Sequence, residues 1–212
     1  MIITVSRMFG SGGSDVAARV AHELGWALLD NALVDEVAER LGITRSEVSS
    51  VEERVPSLAE RIAATMALSA PEYSPPLADV SMTETAETRV ADMSKQVMQE
   101  AVQQGNAVLV GRGAQSLLAD RPDALHVFCY APRPFLVQYA IAHRGIDPAH
   151  AEQEVDKRNK QREQYVKRHW GRDWRSFQNY HLCVDTGRMG IDGAAALVVQ
   201  AARLRFSLPT ST

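Results

Sequence analysis

The sequence predicts an α/β protein, a parallel sheet of five strands covered by helices on both faces. Three observations carry this. Five short apolar runs recur along the chain: Ile2 to Ser6, Trp26 to Leu29, Ala107 to Val110, Ala124 to Tyr130 and His181 to Val184. Stretches with apolar residues at helical spacing lie between them. The runs are continuously apolar rather than alternating, as strands buried on both faces are.

Ile2 to Ser6 is β-branched and apolar, and it leads into the glycine-rich turn Arg7-Met8-Phe9-Gly10-Ser11-Gly12-Gly13-Ser14. Asp15 to Leu24 follows at helical spacing. The run Trp26 to Leu29 ends at Asp30, and Asn31 to Leu41 returns to helix with Leu33, Val34, Val37 and Leu41 on one face. Thr44 and Glu47 form a capping box that starts another helix. Helix is expected from Glu52 to Leu68, interrupted by Pro56, then a proline loop over 70–80, then a long helix from Ser81 to Gln104 closed by Gly105. After the third strand comes Gly111-Arg112-Gly113. After the fourth, Pro132 opens a helix to His143. Pro148 to His169 is a charged helical stretch, the fifth run ends at Asp185, and Ile191 to Leu204 is the closing helix.

A chain of 212 residues fits one domain, with or without a helical insertion. Apolar residues make up 45% and charged residues 23%, as in an ordinary globular protein. The net charge of −3 argues against generic nucleic-acid binding. The N-terminus reads as a strand and not a signal peptide, and no apolar run reaches membrane-spanning length. Cys129 and Cys183 both lie in strand-like runs and read as reduced core residues of a cytoplasmic protein.

Strand, glycine turn and helix in that order are what a phosphate-binding loop needs, since glycines let N–H groups converge and the helix start adds a positive dipole end. The alternative is a tight βα turn with no ligand, though Gly10, Gly12 and Gly13 are more glycine than a simple turn requires. Against the pattern G-x-x-x-x-G-K-[ST], Arg7 stands at the first glycine, Gly12 at the second, Gly13 at the lysine and Ser14 at the hydroxyl that sits on magnesium. The loop has its shape but lacks its cation. In open parallel sheets ligands bind beyond the carboxyl ends of the strands, which draws attention to Asp30, Arg112 and Asp185 as well. Asp30 reads either as a ligand-facing carboxylate or as a helix cap. Arg112 reads as a ligand contact or a surface arginine, and Asp185 more as a turn residue than a ligand contact. Residues 156–175 carry a local basic excess, with Arg158 and Arg162 on one helix face. Most of those side chains read as solvated, but a helix there could act as a lid and bring arginines onto a transferring group. Trp170 and Trp174, four apart, read as packing anchors on a shared face.

The opening Ile3-Thr4-Val5-Ser6-Arg7 with Phe9-Gly10-Ser11-Gly12-Gly13-Ser14, the Leu28-Leu29-Asp30, the Val110-Gly111-Arg112-Gly113 and the region from Arg162 and Tyr165 through Trp174 to Asn179-Tyr180-His181-Leu182 resemble the cytidylate-kinase-like family of P-loop nucleoside monophosphate kinases. The resemblance spans nearly the whole chain. It implies a three-layer P-loop kinase fold with core segments 1–30, 106–144 and 176–206, a monophosphate-binding helical insertion at 31–105 and a lid at 145–175. Three departures from cytidylate kinase stand out. The loop lysine is absent, Gly113 stands where that enzyme has Asp, and Asn31 to Glu36 replace its Ser-Gly-Ala-x-Tyr-Arg.

The expected function is ATP-dependent phosphoryl transfer to a small acceptor, a nucleoside monophosphate foremost. ATP with magnesium is expected at Gly10, Ser11, Gly12, Gly13 and Ser14, with Ser14 on the metal. Arg7, or Arg158 and Arg162, takes the place of the lysine; Asp30 orients or deprotonates the acceptor or holds magnesium through water; Arg112 grips the acceptor's phosphate. Partners are then a nucleotide and a small-molecule acceptor, with a homodimer left open and neither nucleic acid nor membrane expected. Two alternatives remain at this point: a nucleotide-binding regulatory protein without turnover, and a kinase for a non-nucleotide small molecule.

Overall fold

The computed structural model describes residues 1–53 and 86–209. The helix expected through Leu68, the proline loop at 70–80 and the start of the helix at Ser81 fall on residues 54–85, outside the described residues.

Five strands, β1 (Ile2–Arg7), β2 (Ala27–Leu29), β3 (Ala107–Val110), β4 (Ala124–Tyr130) and β5 (Leu182–Asp185), form one sheet in the order β2-β3-β1-β4-β5. Every pairing is parallel. β1 lies at the centre because its residues can be buried on both faces: Ile2, Ile3, Thr4 and Val5 are all inaccessible to solvent. The chain leaves β1 between β3 and β4, where the strand order reverses, so the loop after Arg7 opens at the middle of the carboxyl edge.

Helix α1 (Gly13–Leu24) packs on one face with the last helix, α8 (Thr186–Phe206). Val16, Val20, Val198 and Val199 close over Ile3, Val5, Val127 and Val184. On the other face, α2 (Asn31–Leu41), α3 (Arg45–Glu53) and α4 (Ala86–Gln104) bring Val37, Val48 and Met98 onto Ile2, Leu109 and Ala124. The short α5 (Ala114–Leu117) follows β3; α6 (Arg133–Arg144) and α7 (Ala151–Trp170) connect β4 to β5, with a 3-10 turn at Phe177–Asn179.

The capping box forms as expected: Thr44 N–H donates to Glu47 Oε2 at 2.7 Å, and Glu47 N–H to Thr44 Oγ1 at 3.2 Å. Asp185, read from the sequence as a turn residue, ends β5 and caps α8, its Oδ1 accepting from the N–H groups of Gly187 and Arg188. Gly190 breaks the helical path at φ 69, ψ 170, so the regular part of α8 begins at Ile191, where the spacing placed it.

Three expectations are corrected. Cys129 is buried, but Cys183 is exposed, because β5 is an edge strand and one of its faces meets solvent. The edge strand β2 is likewise only partly covered. Trp170 and Trp174 do not share a helix face, since Gly171 ends α7 in a left-handed turn and Trp174 lies beyond it. Trp174 is still a packing anchor, buried against Phe128 and Val166.

His126 on β4 is 2% exposed, and its Nδ1 lies 2.8 Å from the Thr4 hydroxyl. Burial, reinforced by His181 stacked 5.0 Å away, pushes its pKa down to about 4. Between there and the ordinary value of 6.5 the unfolded chain binds more protons than the folded one. Stability is therefore complete above about pH 6.5 and falls as the pH drops toward 4, by on the order of 2 kcal/mol. Urea unfolding across that range reads this loss, and His126→Gln flattens it.

Candidate active site

The loop between β1 and α1 is held by its own groups and by α7. Met8 N–H donates to the Cys129 carbonyl at 2.9 Å, and Phe9 N–H to Asn159 Oδ1 at 2.6 Å. The Ser11 hydroxyl donates to the Met8 carbonyl at 2.8 Å. Gly12, at φ 71, turns the chain into α1. Among the described residues the N–H groups of Gly10 and Gly12 meet no acceptor. Both glycines line a cavity of about 600 Å³, together with Gly13, Ser14 and the first turn of α1. Unsatisfied N–H groups and a helix start facing one cavity suit an anion, and Ser14 places a hydroxyl at its wall.

Arg7 ends β1, and its side chain crosses the carboxyl edge of the sheet. It passes over Gly111 at the end of β3 and brings Nη2 within 3.4 Å of Asp30 Oδ1 at the end of β2. Both side chains are largely buried, at 16% and 17% exposure. Asp30 occupies the cap position of α2 but makes no side-chain cap, because its carboxylate is turned to Arg7. Asp30 is therefore not a side-chain cap; its carboxylate is turned to Arg7.

Gly111, Arg112 and Gly113 all have positive φ, at 74, 47 and 72. For arginine that conformation carries strain of about 1–3 kcal/mol. Arg112 lines a second cavity of about 230 Å³ with Arg7, Asp30, Arg158 and Arg162, and with Ser6, Ser49, Gln161, Tyr165 and Trp174 among its further walls. Four arginines against one aspartate make this cavity strongly cationic among the described residues. Gly113 is explained by its neighbour: a Cβ there would overlap Trp170 Nε1 and lie 2.6 Å from Cε2. An Asp at 113 and a Trp at 170 exclude each other in this packing.

Helix α7 supplies Arg158 and Arg162 to both cavities. Arg162 Nη1 donates to the Arg7 carbonyl at 2.7 Å, and Arg158 Nε is held by Glu154 at 2.7 Å. Both guanidinium groups lie over the Phe9 ring, at 4.7 Å for Arg158 and 5.6 Å for Arg162. The rest of the basic stretch is mostly exposed, with Lys157, Lys160, Lys167 and Arg168 facing solvent.

Asp15 beside the loop has its own partners. Tyr139 Oη donates to it at 2.6 Å and Arg144 Nη2 at 3.0 Å. Burial and this hydrogen bond push the Tyr139 phenol up to about 12, so it stays a neutral donor. Arg144 and Asn159 are site residues that the sequence reading missed. Asn159 carried a signal: it falls on the stripe of Ala151, Val155 and Val166 in an otherwise charged helix, where a small amide stands in an apolar series. Arg144 carried none.

A central β1, a glycine turn into α1 and the order β2-β3-β1-β4-β5 define a P-loop kinase fold. The sequence matches the cytidylate kinase-like family over residues 2–188, and the chain belongs to that family. No curated protein matches it in sequence. Among solved structures it is similar to an uncharacterized protein from Eubacterium ventriosum ATCC 27560, with a TM-score of 0.68 and 20% identity over 95% of this chain and 98% of that one. It is also similar to shikimate kinase from Acinetobacter baumannii in complex with shikimate, at TM-score 0.53 and 16% identity over 99% and 95% of the two chains. Deoxyadenosine kinase from M. mycoides, with products dCMP and dCDP bound, follows at 0.52 and 9% identity over 96% and 100%. At these identities the likeness is one of fold.

Gly113→Asp is expected to cost about 1–3 kcal/mol through overpacking. Denaturant unfolding followed by tryptophan emission reads it, with a shift of the native spectrum as Trp170 is displaced.

Proposed function

We propose that this protein transfers the terminal phosphoryl group of ATP to a small anionic acceptor, a nucleoside monophosphate foremost. One observation carries the reading. The cavity over the glycine loop and the cavity at Arg112 share Arg7, Asp30, Arg158 and Arg162, so a donor in the first and an acceptor in the second would meet across one cluster of charges. Family membership supports phosphoryl transfer in general terms.

Gly10, Ser11, Gly12, Gly13 and Ser14 hold the donor's phosphates through backbone N–H groups and the start of α1. Magnesium fits a site of this composition: the loop cavity carries the Ser14 hydroxyl and the Asp30 carboxylate, the one or two protein oxygens that such an ion takes beside phosphates. Ser14, and Asp30 through water, would hold it, and when bound it offsets charge on the transferred group. Arg7, Arg158 and Arg162 add the positive charge that the lysine gives elsewhere. Arg112 binds the acceptor's phosphate with its planar fork.

In the transfer, an acceptor oxygen bonds to the terminal phosphorus as the bond from that phosphorus to its bridging oxygen breaks. The nucleoside diphosphate leaves with the electron pair. A monophosphate acceptor attacks through an oxygen that is already ionised, so no base is required. That agrees with an Asp30 committed to Arg7. A hydroxyl acceptor would have to give its proton to Asp30 and so disturb the pair. We assign core roles to 1–30, 106–144 and 176–206, the acceptor side to 31–105, and a lid to 145–175.

A non-nucleotide acceptor is the second reading, favoured by the small volume of the Arg112 cavity. The test is transfer from radiolabelled ATP with magnesium to a panel of nucleoside monophosphates and of small hydroxy acids. Arg112→Ala is expected to lower kcat/KM for the acceptor roughly 10- to 100-fold, the worth of a charged hydrogen bond. Its affinity for ATP should stay within about threefold, because Arg112 lines only the acceptor cavity. ATP binding with no transfer to any acceptor would leave a regulatory protein, and no ATP binding would overturn both.

A further inference from the structure

The Arg7 side chain runs between two glycines. Near its stem, a Cβ at Gly13 would overlap Arg7 Cβ, lie 3.1 Å from Arg7 Cγ and lie 3.0 Å from Cys129 Cβ. At its head, a Cβ at Gly111 would overlap Arg7 Nη1 and lie 3.0 Å from Cζ. Beyond Gly111 the guanidinium meets Asp30. The space in which a side chain at position 13 would begin is thus filled by Arg7. In the pattern G-x-x-x-x-G-K-[ST], these two positions hold glycine and lysine. Here they hold arginine and glycine.

We infer that the two positions have exchanged roles. The phosphate-facing cation has moved from the first residue of α1 to the last residue of β1, and the glycine has moved the other way to make room for it. The inference rests on the phosphoryl-transfer reading above and names Arg7 among the three candidate arginines. Position 13 cannot carry a lysine while position 7 carries an arginine, since the second stem would have to pass through the first. A lysine at 13 needs a glycine at 7, as the standard pattern has. Arg7 lines both cavities, so it borders the space where the two ligands would meet. Gly111 and Asp30 then serve as positioning groups, one leaving room for the guanidinium and the other holding it.

The experiment is a reciprocal exchange, read by calorimetric titration with ATP and magnesium and by thermal unfolding without ligand. Arg7→Gly is expected to lose at least tenfold in affinity. Gly13→Lys is expected to lose as much and to melt several degrees lower. The double substitution Arg7→Gly with Gly13→Lys should recover most of both. Arg7→Met keeps a long stem between the glycines without the charge. It should lose affinity tenfold. It will melt below the parent because Asp30 is left without its partner, so affinity is read at a temperature where the variant is folded and the result does not depend on the double variant folding. Full affinity in Arg7→Met, or a folded double variant that binds no better than Arg7→Gly, would overturn the exchange while leaving the phosphoryl-transfer reading in place. An unaltered parent protein that binds no nucleotide would remove that reading, and the exchange with it.

Discussion

The path of one buried arginine constrains the carboxyl edge of this sheet. Arg7 starts on the central strand and ends at a carboxylate on the edge strand β2, spanning β3 on the way. A charge that is only 16% exposed must be paired, or the cost of removing it from water is not recovered. Asp30 provides the partner, which is why its carboxylate leaves the helix start that it could have capped. Backbone groups near the path must also stay slim. Gly13 and Gly111 are therefore fixed by Arg7 at least as much as by any phosphate, and part of the glycine signature has an origin inside the protein.

Helix α7 is the second element tied to the loop. Asn159 is buried and accepts the Phe9 N–H, Arg162 reaches the Arg7 carbonyl, and Phe9 is covered by two guanidinium groups. These contacts make the position of the arginines on α7 depend on the shape of the loop. A displacement of α7 by one turn would break the amide contact and both cation–ring contacts together. Such coupling fixes the arginines of α7 relative to the loop.

Much of this fold could be read in the sequence, because strands buried on both faces and helices at 3.6-residue spacing leave strong patterns. The five strands, the capping box at Thr44 and the break before Ile191 were all legible. The edge strands were not. Cys183 sits in an apolar run like any core strand, and only the sheet order tells that one of its faces is open. Within the candidate site, the loop, Asp30 and Arg112 were legible as strand ends. Which way Asp30 turned was not, since a cap and an ion pair draw on the same residue type at the same place. Arg144 was invisible, because its role comes from a contact with Asp15 across 129 positions of sequence.

The two glycines that depart from the kinase pattern have the same physical origin. Gly13 is small because Arg7 fills its space, and Gly113 is small because Trp170 fills its own. In each case the residue lost from the motif is matched by a larger residue elsewhere whose atoms lie where the missing side chain would be. Here the volume is filled in one case by a paired cation at the meeting point of two cavities and in the other by a ring that Lys95 covers at 5.3 Å. The volume of each missing side chain is therefore occupied, and neither departure from the pattern leaves a void in the packing.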